Sequence, residues 1–259
     1  MAEPSRAETR AAIAAAEAAF PLLRERRGAG EVQAKDTLDF ATGTDVAVER
    51  LLEERLGSAF PAIGFCGEEG GIRGARDRFW MVDPICGTIN FAVGLPFYNV
   101  NVALVEDGAV AAAALLDGTT GQVYWAERGA GAWLDGRRLR TSAASGVVHV
   151  DFGHNVAQGR TARMEHVLHD ILTRRLFGVR VMVTTMVLGH LAAGRLAGEI
   201  IESVHPWDLC AGTFICQEAG AIATDWAGNP WQWDSAELVL GATPEVHRQL
   251  LELAIAASA

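Results

Sequence analysis

Four acidic segments of the sequence could together bind a hard metal ion. They are residues 39–45, Glu68-Glu69, the loop that begins at Asp83, and Trp207-Asp208. Taken singly, each has an ordinary explanation, since an acidic pair is typical of a solvated loop and an aspartate placed like Asp208 is typical of a helix N-cap. Taken together, carboxylates at the ends of different strands would form a pocket of oxygen ligands, which suits Mg²⁺ bound together with a substrate phosphate.

The elements that would position these carboxylates are helices and short strands. A capping-box pattern from Ser5 to Glu8 predicts a first helix, and Thr44 as N-cap with Asp45 in the first turn predicts a second. Apolar runs of strand length end at Glu68 and at Asp83. The acidic groups are therefore expected at strand ends, where functional sites are commonly built.

The middle of the chain changes pattern, and the last part changes again. Asp-Gly pairs beginning at residues 107, 117 and 135 predict an antiparallel meander between residues 98 and 139. After about residue 145, apolar strands alternate with helical stretches. We therefore predict two tightly packed parts, an α+β part over residues 1–144 that carries the metal-site motifs and an α/β part over residues 145–259 that completes the active site.

These motifs, in this order, resemble those of the inositol monophosphatase family of metal-dependent phosphatases. The resemblance covers nearly the whole chain and is carried by Lys35, Asp39 to Asp45, Gly67-Glu68-Glu69, Trp80 to Phe91, Trp207 to Gly212, and Glu218-Ala219-Gly220. It implies an α/β fold with a layered αβαβα sandwich, a homodimer, and Mg²⁺-dependent hydrolysis of a small phosphomonoester, such as a cyclitol, sugar or nucleotide-derived phosphate, by two-metal water activation.

The resemblance also assigns roles to single residues. A first metal would be held by Glu68, Asp83 and the backbone carbonyl of Ile85, and a second by Asp83, Asp208 and the residue at position 86. The roles near the substrate would fall to the attacking-water pair Asp45 and Thr88, the nearby Lys35, the supporting Glu69, and the phosphate-binding group of Cys86, Gly87, Thr88 and Asp208.

The sequence departs from the family pattern at Cys86, where the family has an aspartate. Mg²⁺ prefers oxygen and a thiolate prefers softer ions, so the second metal position is weakened and Mn²⁺ or Zn²⁺ become candidates. Three interpretations stay open: a weakened but working phosphatase, a non-catalytic binding role, and new chemistry in which Cys86 has a lowered pKa and acts as nucleophile or soft-metal ligand. His205 would be its nearest partner, although a place on the pocket rim is more typical.

The substrate pocket departs from the family as well. The family's Gly-Ser-Ala segment aligns with Met182-Val183-Thr184, and its substrate-contacting glutamate aligns with Ile201. The family's substrates therefore do not transfer to this chain.

Composition limits the partners and the compartment. The formal net charge of -10 over 259 residues opposes binding to nucleic acid or to an anionic membrane surface. The first twenty residues include several charged side chains and no long apolar run, which argues against a signal peptide or membrane span. Four cysteines without CxxC spacing indicate reduced thiols. We therefore expect a cytoplasmic protein.

Overall fold

The computed structural model describes residues 3–28, 32–36, 39–152, 156, 158–159 and 161–258, with only the backbone described for residues 32–36 and 39–40. The elements in chain order are α1 (Ala7–Arg26), β1 (Val32–Asp36), β2 (Asp39–Thr42), α2 (Gly43–Ala59), β3 (Gly64–Gly67), β4 (Gly71–Arg73), β5 (Arg78–Cys86), α3 (Thr88–Ala92), β6 (Asn99–Glu106), β7 (Ala109–Asp117), β8 (Val123–Glu127), β9 (Gly131–Leu134), β10 (Arg137–Arg138), β11 (Val147–Asp151), α4 (Ala162–Arg174), β12 (Gly178–Arg180), α5 (Met186–Ala192), β13 (Gly198–Glu202), α6 (Pro206–Glu218), β14 (Ile222–Thr224), β15 (Glu237–Gly241) and α7 (Pro244–Ala257).

Two main sheets and three helical layers make up the sandwich, and β1 and β2 form a further two-stranded antiparallel sheet. The larger sheet has eight strands in the order β10-β9-β8-β7-β6-β5-β3-β4, and the smaller has five in the order β12-β11-β13-β15-β14. Helices α1 and α2 cover the outer face of the larger sheet, α5 and α6 lie between the sheets, and α4 and α7 cover the smaller sheet. The predicted αβαβα sandwich is confirmed.

The predicted boundary at residue 145 falls between the last strand of the larger sheet and the first strand of the smaller one. The division into two parts at that boundary stays a prediction. The described part of the chain contains no helix with both the length and the apolar character needed to cross a bilayer.

Strand β5 shows why the site lies where it does. Its side chains alternate between two cores: Phe79 and Met81 pack between the sheets, whereas Trp80 and Val82 pack under α1 and α2. Because successive side chains of a strand point to opposite faces, Asp83 falls on the inter-sheet side. Strand β5 therefore places the Asp83 carboxylate on the inter-sheet face of the larger sheet, on the same side as α6.

The predicted meander is confirmed as the consecutive antiparallel strands β6 to β10. Asp107 and Asp135 both take positive φ, as do the glycines that follow them, so these pairs form tight turns. Asp117 differs, because residues 118–122 connect β7 to β8 and its Oδ1 accepts hydrogen bonds from the N–H groups of Thr119 and Thr120.

Two predicted helix starts are wrong in detail. Ser5 donates to Glu127 over 2.6 Å and Glu8 pairs with Arg78, so these residues bind α1 to the sheet and form no capping box. The N-cap of α2 is Thr42, two residues before the predicted Thr44, and its hydroxyl accepts from the Thr44 N–H at 3.2 Å. In the capping box of α2, the Asp45 side chain accepts the backbone N–H of Thr42. Asp45 therefore has a structural role as well as its proposed chemical role.

Candidate functional site

Asp83 is the buried centre of the site. It is fully buried, and neither of its carboxylate oxygens has a hydrogen-bond partner among the described residues. Burial raises its pKa well above the ordinary value, and the charges of Glu68, Asp208 and Asp45 raise it further. A buried carboxylate without donors is costly unless a cation compensates it, so this residue fits a metal ligand.

Asp208 and Cys86 complete a compact group with Asp83. One ligand atom from each residue lies within 4.8 Å of the others. Asp208 stands at the third position of α6, where its Oδ2 accepts the backbone N–H of His205 at 2.9 Å, and its Oδ1 lies 3.9 Å from Cys86 Sγ. The N-cap of α6 is His205 itself, so Asp208 is not the N-cap.

The sulfur of Cys86 accepts hydrogen bonds from one neighbour, Thr185. The Thr185 hydroxyl lies 3.0 Å and its backbone nitrogen 3.2 Å from Sγ. Burial raises the pKa of the Cys86 thiol well above its ordinary value, with further contributions from Asp83 and Asp208. The lowered pKa expected for a nucleophilic Cys86 is therefore wrong, because adjacent carboxylates outweigh any effect of the short helix that follows.

A buried amide and hydroxyl network supports that threonine. Asn99 and Asn101 both direct Nδ2 at Thr185 Oγ1, over 3.2 and 3.0 Å, and Asn99 also accepts from the Thr184 hydroxyl at 2.9 Å. In the β5–β6 ladder, Asn101 faces Asp83 and Asn99 faces Cys86. Sequence reasoning missed both asparagines, although two amides spaced by two residues in an apolar strand are an unusual signal.

Asp45 and Thr88 meet as the resemblance implies. The Thr88 hydroxyl lies 3.1 Å from Asp45 Oδ1 and 2.9 Å from the carbonyl oxygen of Ile85. The other oxygen of Asp45 accepts the Thr42 N–H at 2.9 Å. Burial is the main cause of a raised pKa for Asp45. The carbonyl of Ile85 has two lone pairs, so the Thr88 contact leaves it able to bind a metal.

The Glu68-Glu69 loop is held by a residue that sequence reasoning did not single out. Glu49 of α2 is buried, and its Oε2 accepts the Glu69 N–H at 2.7 Å. A Cβ at Gly67 would lie 2.4 Å from the Glu49 carboxylate, so any larger residue there would displace that carboxylate. The charge of Glu69 contributes to the raised pKa of Asp45, which places the two carboxylates close together.

One pocket of about 380 Å³ brings most of the predicted site residues together. Its metal end is lined by Glu68, Asp83, Ile85, Cys86, Gly87, Thr88 and Asp208. Asp45 and Glu69 do not line the pocket and reach it through Thr88 and Glu68. The backbone of Lys35 lies in β1, and its side chain lies outside the described residues. His205 lines the pocket from an exposed position, as expected for a rim residue.

The far wall of the pocket is mostly apolar. It includes Ile89, Phe152, Val156, Val183, Ile201, Val204 and Trp207, together with the polar residues Asn90, Asp151, Thr184, Thr185 and His205. Val183 takes a φ of 48°, and its neighbour Met182 donates its N–H to His149 Nε2 at 3.1 Å. The segment that replaces the family's Gly-Ser-Ala is therefore fixed from beneath by a buried histidine.

The two metal positions differ in their chemistry. Glu68, Asp83 and the Ile85 carbonyl supply only oxygen, and the unpartnered oxygens of Asp83 fit a bound cation, so the first position suits Mg²⁺. The second position includes the sulfur of Cys86, which does not suit Mg²⁺.

Comparisons with known proteins find relatives over most of the chain. The model of the inositol monophosphatase family matches residues 5–259. An inositol-1-monophosphatase of Rhizobium meliloti (strain 1021) is 33% identical over 224 residues, which is 82% of this chain and 81% of that protein. A putative Nus factor SuhB of Neisseria meningitidis serogroup B is 33% identical over 237 residues, which is 88% of this chain and 90% of that protein.

Solved structures share the fold over almost the full length. The extragenic suppressor protein SuhB from Bartonella henselae superposes with a TM-score of 0.88 at 27% identity, covering 96% of this chain and 99% of that one. An IMPase from Thermotoga maritima superposes with a TM-score of 0.82 at 26% identity, covering 95% and 96%.

Proposed function

Because the chain belongs to the inositol monophosphatase family, we propose that it is a metal-dependent phosphatase that hydrolyses a small phosphomonoester in the pocket at the end of β5. The observation that carries the proposal is Asp83, a fully buried carboxylate for which the described part of the chain supplies no hydrogen-bond donor to either oxygen. A bound cation would offset the free-energy cost of burying this carboxylate charge. A cation beside a pocket also suits phosphate chemistry.

The residues at the metal end of the pocket have separate proposed roles. Glu68, Asp83 and the Ile85 carbonyl would hold Mg²⁺, which when bound polarises the phosphate and lowers the pKa of water. Thr88, whose hydroxyl donates to Asp45 over 3.1 Å, would hold the attacking water at the pocket, and the proton of that water would pass through the Thr88 hydroxyl to Asp45. The loop at Gly87 and Thr88 would receive the phosphate, with Lys35 and Glu69 in supporting roles.

The mostly apolar far wall favours a leaving alcohol that carries apolar surface. Ile201 takes the position of the family's substrate-contacting glutamate, and it lines the pocket together with Phe152 and Trp207. A highly hydroxylated cyclitol would leave its hydroxyls unpaired against such a wall, which costs binding energy. We therefore favour a nucleotide-derived phosphate or another ester whose alcohol carries apolar surface.

A non-catalytic binding role is the second candidate. Cys86 in place of the family's aspartate favours it, and so do relatives named Nus factor SuhB. The net charge of -10 argues against nucleic acid as the direct partner. The phosphatase proposal requires turnover, and the binding proposal requires none.

A homodimer and a cytoplasmic location complete the proposal. Ile89, Val93, Leu95 and Phe97 are exposed around α3, and Asn90 Nδ2 joins this segment to the carbonyl of Met182 at 2.9 Å, next to the exposed Val183. Burial of this apolar surface against a second copy would remove it from water. The four cysteines are buried and unpaired, which suits a reducing compartment.

The deciding experiment is a phosphate-release screen. Purified protein is incubated with cyclitol, sugar and nucleoside monophosphates in the presence of Mg²⁺, Mn²⁺ or Zn²⁺, with the chelated protein and Asp83→Asn as controls. We expect metal-dependent release that is fastest for a nucleoside or aryl phosphate and absent in Asp83→Asn. Release by Asp83→Asn at the wild-type rate, or no release with any substrate and metal, would overturn the proposal.

A further inference from the structure

We propose that Asp83, Cys86 and Asp208 form a mixed sulfur and oxygen metal site that selects Zn²⁺ over Mg²⁺. The inference rests on the proposed function only in placing this site beside the Mg²⁺ position of the same pocket. The occupant of the second position would then differ from that of the first, and the protein would work with two unlike metals.

The geometry supplies the ligand set of a reactive zinc site. Three side chains offer one ligand atom each within 4.8 Å of one another, and all three residues are buried. Reactive zinc sites typically have three protein ligands and keep a fourth position open for water or substrate. The pocket borders the group on the side where a phosphate oxygen could take that fourth position.

Asp83 supports a cation site independently of the cysteine. A cysteine alone would not indicate a site, because free cysteines are common in cores. Here, however, the carboxylate beside the sulfur is fully buried and both its oxygens lack a hydrogen-bond partner among the described residues. One of those oxygens belongs to the same ligand group as the sulfur, so a single ion can bind all three side chains.

The hydrogen bonds around Thr185 fix the sulfur as an acceptor. Thr185 Oγ1 lies 3.2 Å from Asn99 Nδ2 and 3.0 Å from Asn101 Nδ2, so it accepts from both amides. Its own proton is then left for Cys86 Sγ, which also faces the Thr185 N–H. Donors on a ligand atom orient it and stabilise its charged form, as partners of metal ligands generally do.

The sulfur of Cys86 decides whether this site prefers Zn²⁺ or Mg²⁺. Zn²⁺ binds thiolate, imidazole and carboxylate, whereas Mg²⁺ demands oxygen and a nearly ideal octahedron. As the S–Zn bond forms, the thiol proton is released to solvent, with no change in oxidation state. Glu68 and the Ile85 carbonyl keep the neighbouring position for a hard ion.

Cobalt absorption and zinc affinity test the proposal without reference to activity. The full-length protein is stripped with chelator and titrated with Co²⁺, and its spectrum is followed for sulfur-to-cobalt charge transfer. Zn²⁺ affinity is then measured by competition with a chromogenic chelator. We expect a charge-transfer band in the wild type, and Zn²⁺ affinity about 10- to 100-fold above that of Cys86→Ser.

Matched variants test whether the charge-transfer band and the Zn²⁺ affinity depend on Cys86. Cys66→Ala removes another buried thiol and should keep both the band and the affinity, whereas Cys86→Ser and Cys86→Asp should lose the band. Circular dichroism confirms that each variant is folded. A wild type without the band, a band that survives in Cys86→Ser, or equal Zn²⁺ affinity in the two proteins would overturn the proposal. The two proposals can fail separately. Phosphatase activity with Mg²⁺ alone would still support the proposed function if no zinc site were found, and the zinc result would still hold if no substrate were found.

Discussion

Thr185 donates both its backbone N–H and its hydroxyl to the sulfur of Cys86, over 3.2 and 3.0 Å. This contact joins the segment before α5 to the end of β5, and two buried asparagines hold the hydroxyl in place. The position of the sulfur is therefore set by a polar network in the space between the sheets.

Thr185→Val should destabilise the protein by about 1–3 kcal/mol, because the buried Asn99 and Asn101 amides each lose one of their two acceptors. Thr213→Val is the matched control, since the Thr213 hydroxyl is also buried but has no hydrogen-bond partner among the residues that the structure describes. Urea unfolding of both variants measures the difference. A cost for Thr185→Val no larger than that for Thr213→Val would show that the network contributes nothing.

Cys86→Asp should raise Mg²⁺ affinity and Mg²⁺-dependent turnover by about 10- to 100-fold, because it restores an oxygen ligand beside Asp83 and Asp208. Steady-state phosphate release as a function of Mg²⁺ concentration measures both quantities, with Asp208→Asn as the inactive control. Equal and robust Mg²⁺-dependent turnover in the wild type and Cys86→Asp would contradict the importance given to this position.

Gly87→Ala should cost more stability than an ordinary glycine replacement at positive φ. Gly87 has a φ of 90°, and a Cβ there would lie 2.8 Å from the Phe97 carbonyl oxygen. Gly108 also has positive φ, but a Cβ there meets nothing within 4 Å. Gly108→Ala should cost about 1 kcal/mol and Gly87→Ala clearly more, with loss of turnover as Thr88 shifts. Thermal unfolding tests this, and equal melting temperatures would refute it.

Glu106→Gln should weaken the attachment of α1 in a pH-dependent way. Hydrogen bonding from Arg6 lowers the pKa of Glu106 below its ordinary value of 4.5. The ion pair therefore stabilises the fold above about pH 4.5, and this contribution is lost as the pH falls through the folded-state pKa. We expect Glu106→Gln to cost about 1 kcal/mol at neutral pH and nothing once the carboxylate is protonated.

Chemical unfolding at neutral and acidic pH measures that effect. Glu252→Gln is the control, because Glu252 pairs with Arg248 where both side chains are 55% exposed. Its loss should change stability little at any pH. A cost for Glu106→Gln that persists unchanged in acid would mean that packing, and not charge, is responsible.

The assembly prediction follows from the apolar surface around α3. Light scattering should give a mass near twice 27.6 kDa at micromolar concentration. Val93→Asp, at a side chain that is 64% exposed, should shift the protein toward monomer, whereas Val46→Asp on α2 should not. A wild-type mass near 27.6 kDa would refute the homodimer.

The sequence by itself determined the family, the layered fold and the short-range features. Asp-Gly turns, the apolar run of β5 and the acidic motifs at strand ends are local patterns, and local backbone physics decides what they form. The family resemblance also implied a metal-ligand set, which stays a prediction. Asp83, Ile85, Cys86, Gly87 and Thr88 lie in one short stretch from the end of β5 to the start of α3, so no long-range contact was needed to associate them.

Only the tertiary structure decided what surrounds those ligands. Asn99, Thr185 and Cys86 come from separate elements, and no spacing in the chain indicates that they meet. The direction of the Cys86 pKa depended on the same fact, because burial beside two carboxylates opposes the effect of the following helix. Glu49 was overlooked for a similar reason: its partner, the Glu69 N–H, lies on a loop twenty residues away. Side-chain networks between elements depend on packing, and packing is a property of the folded chain.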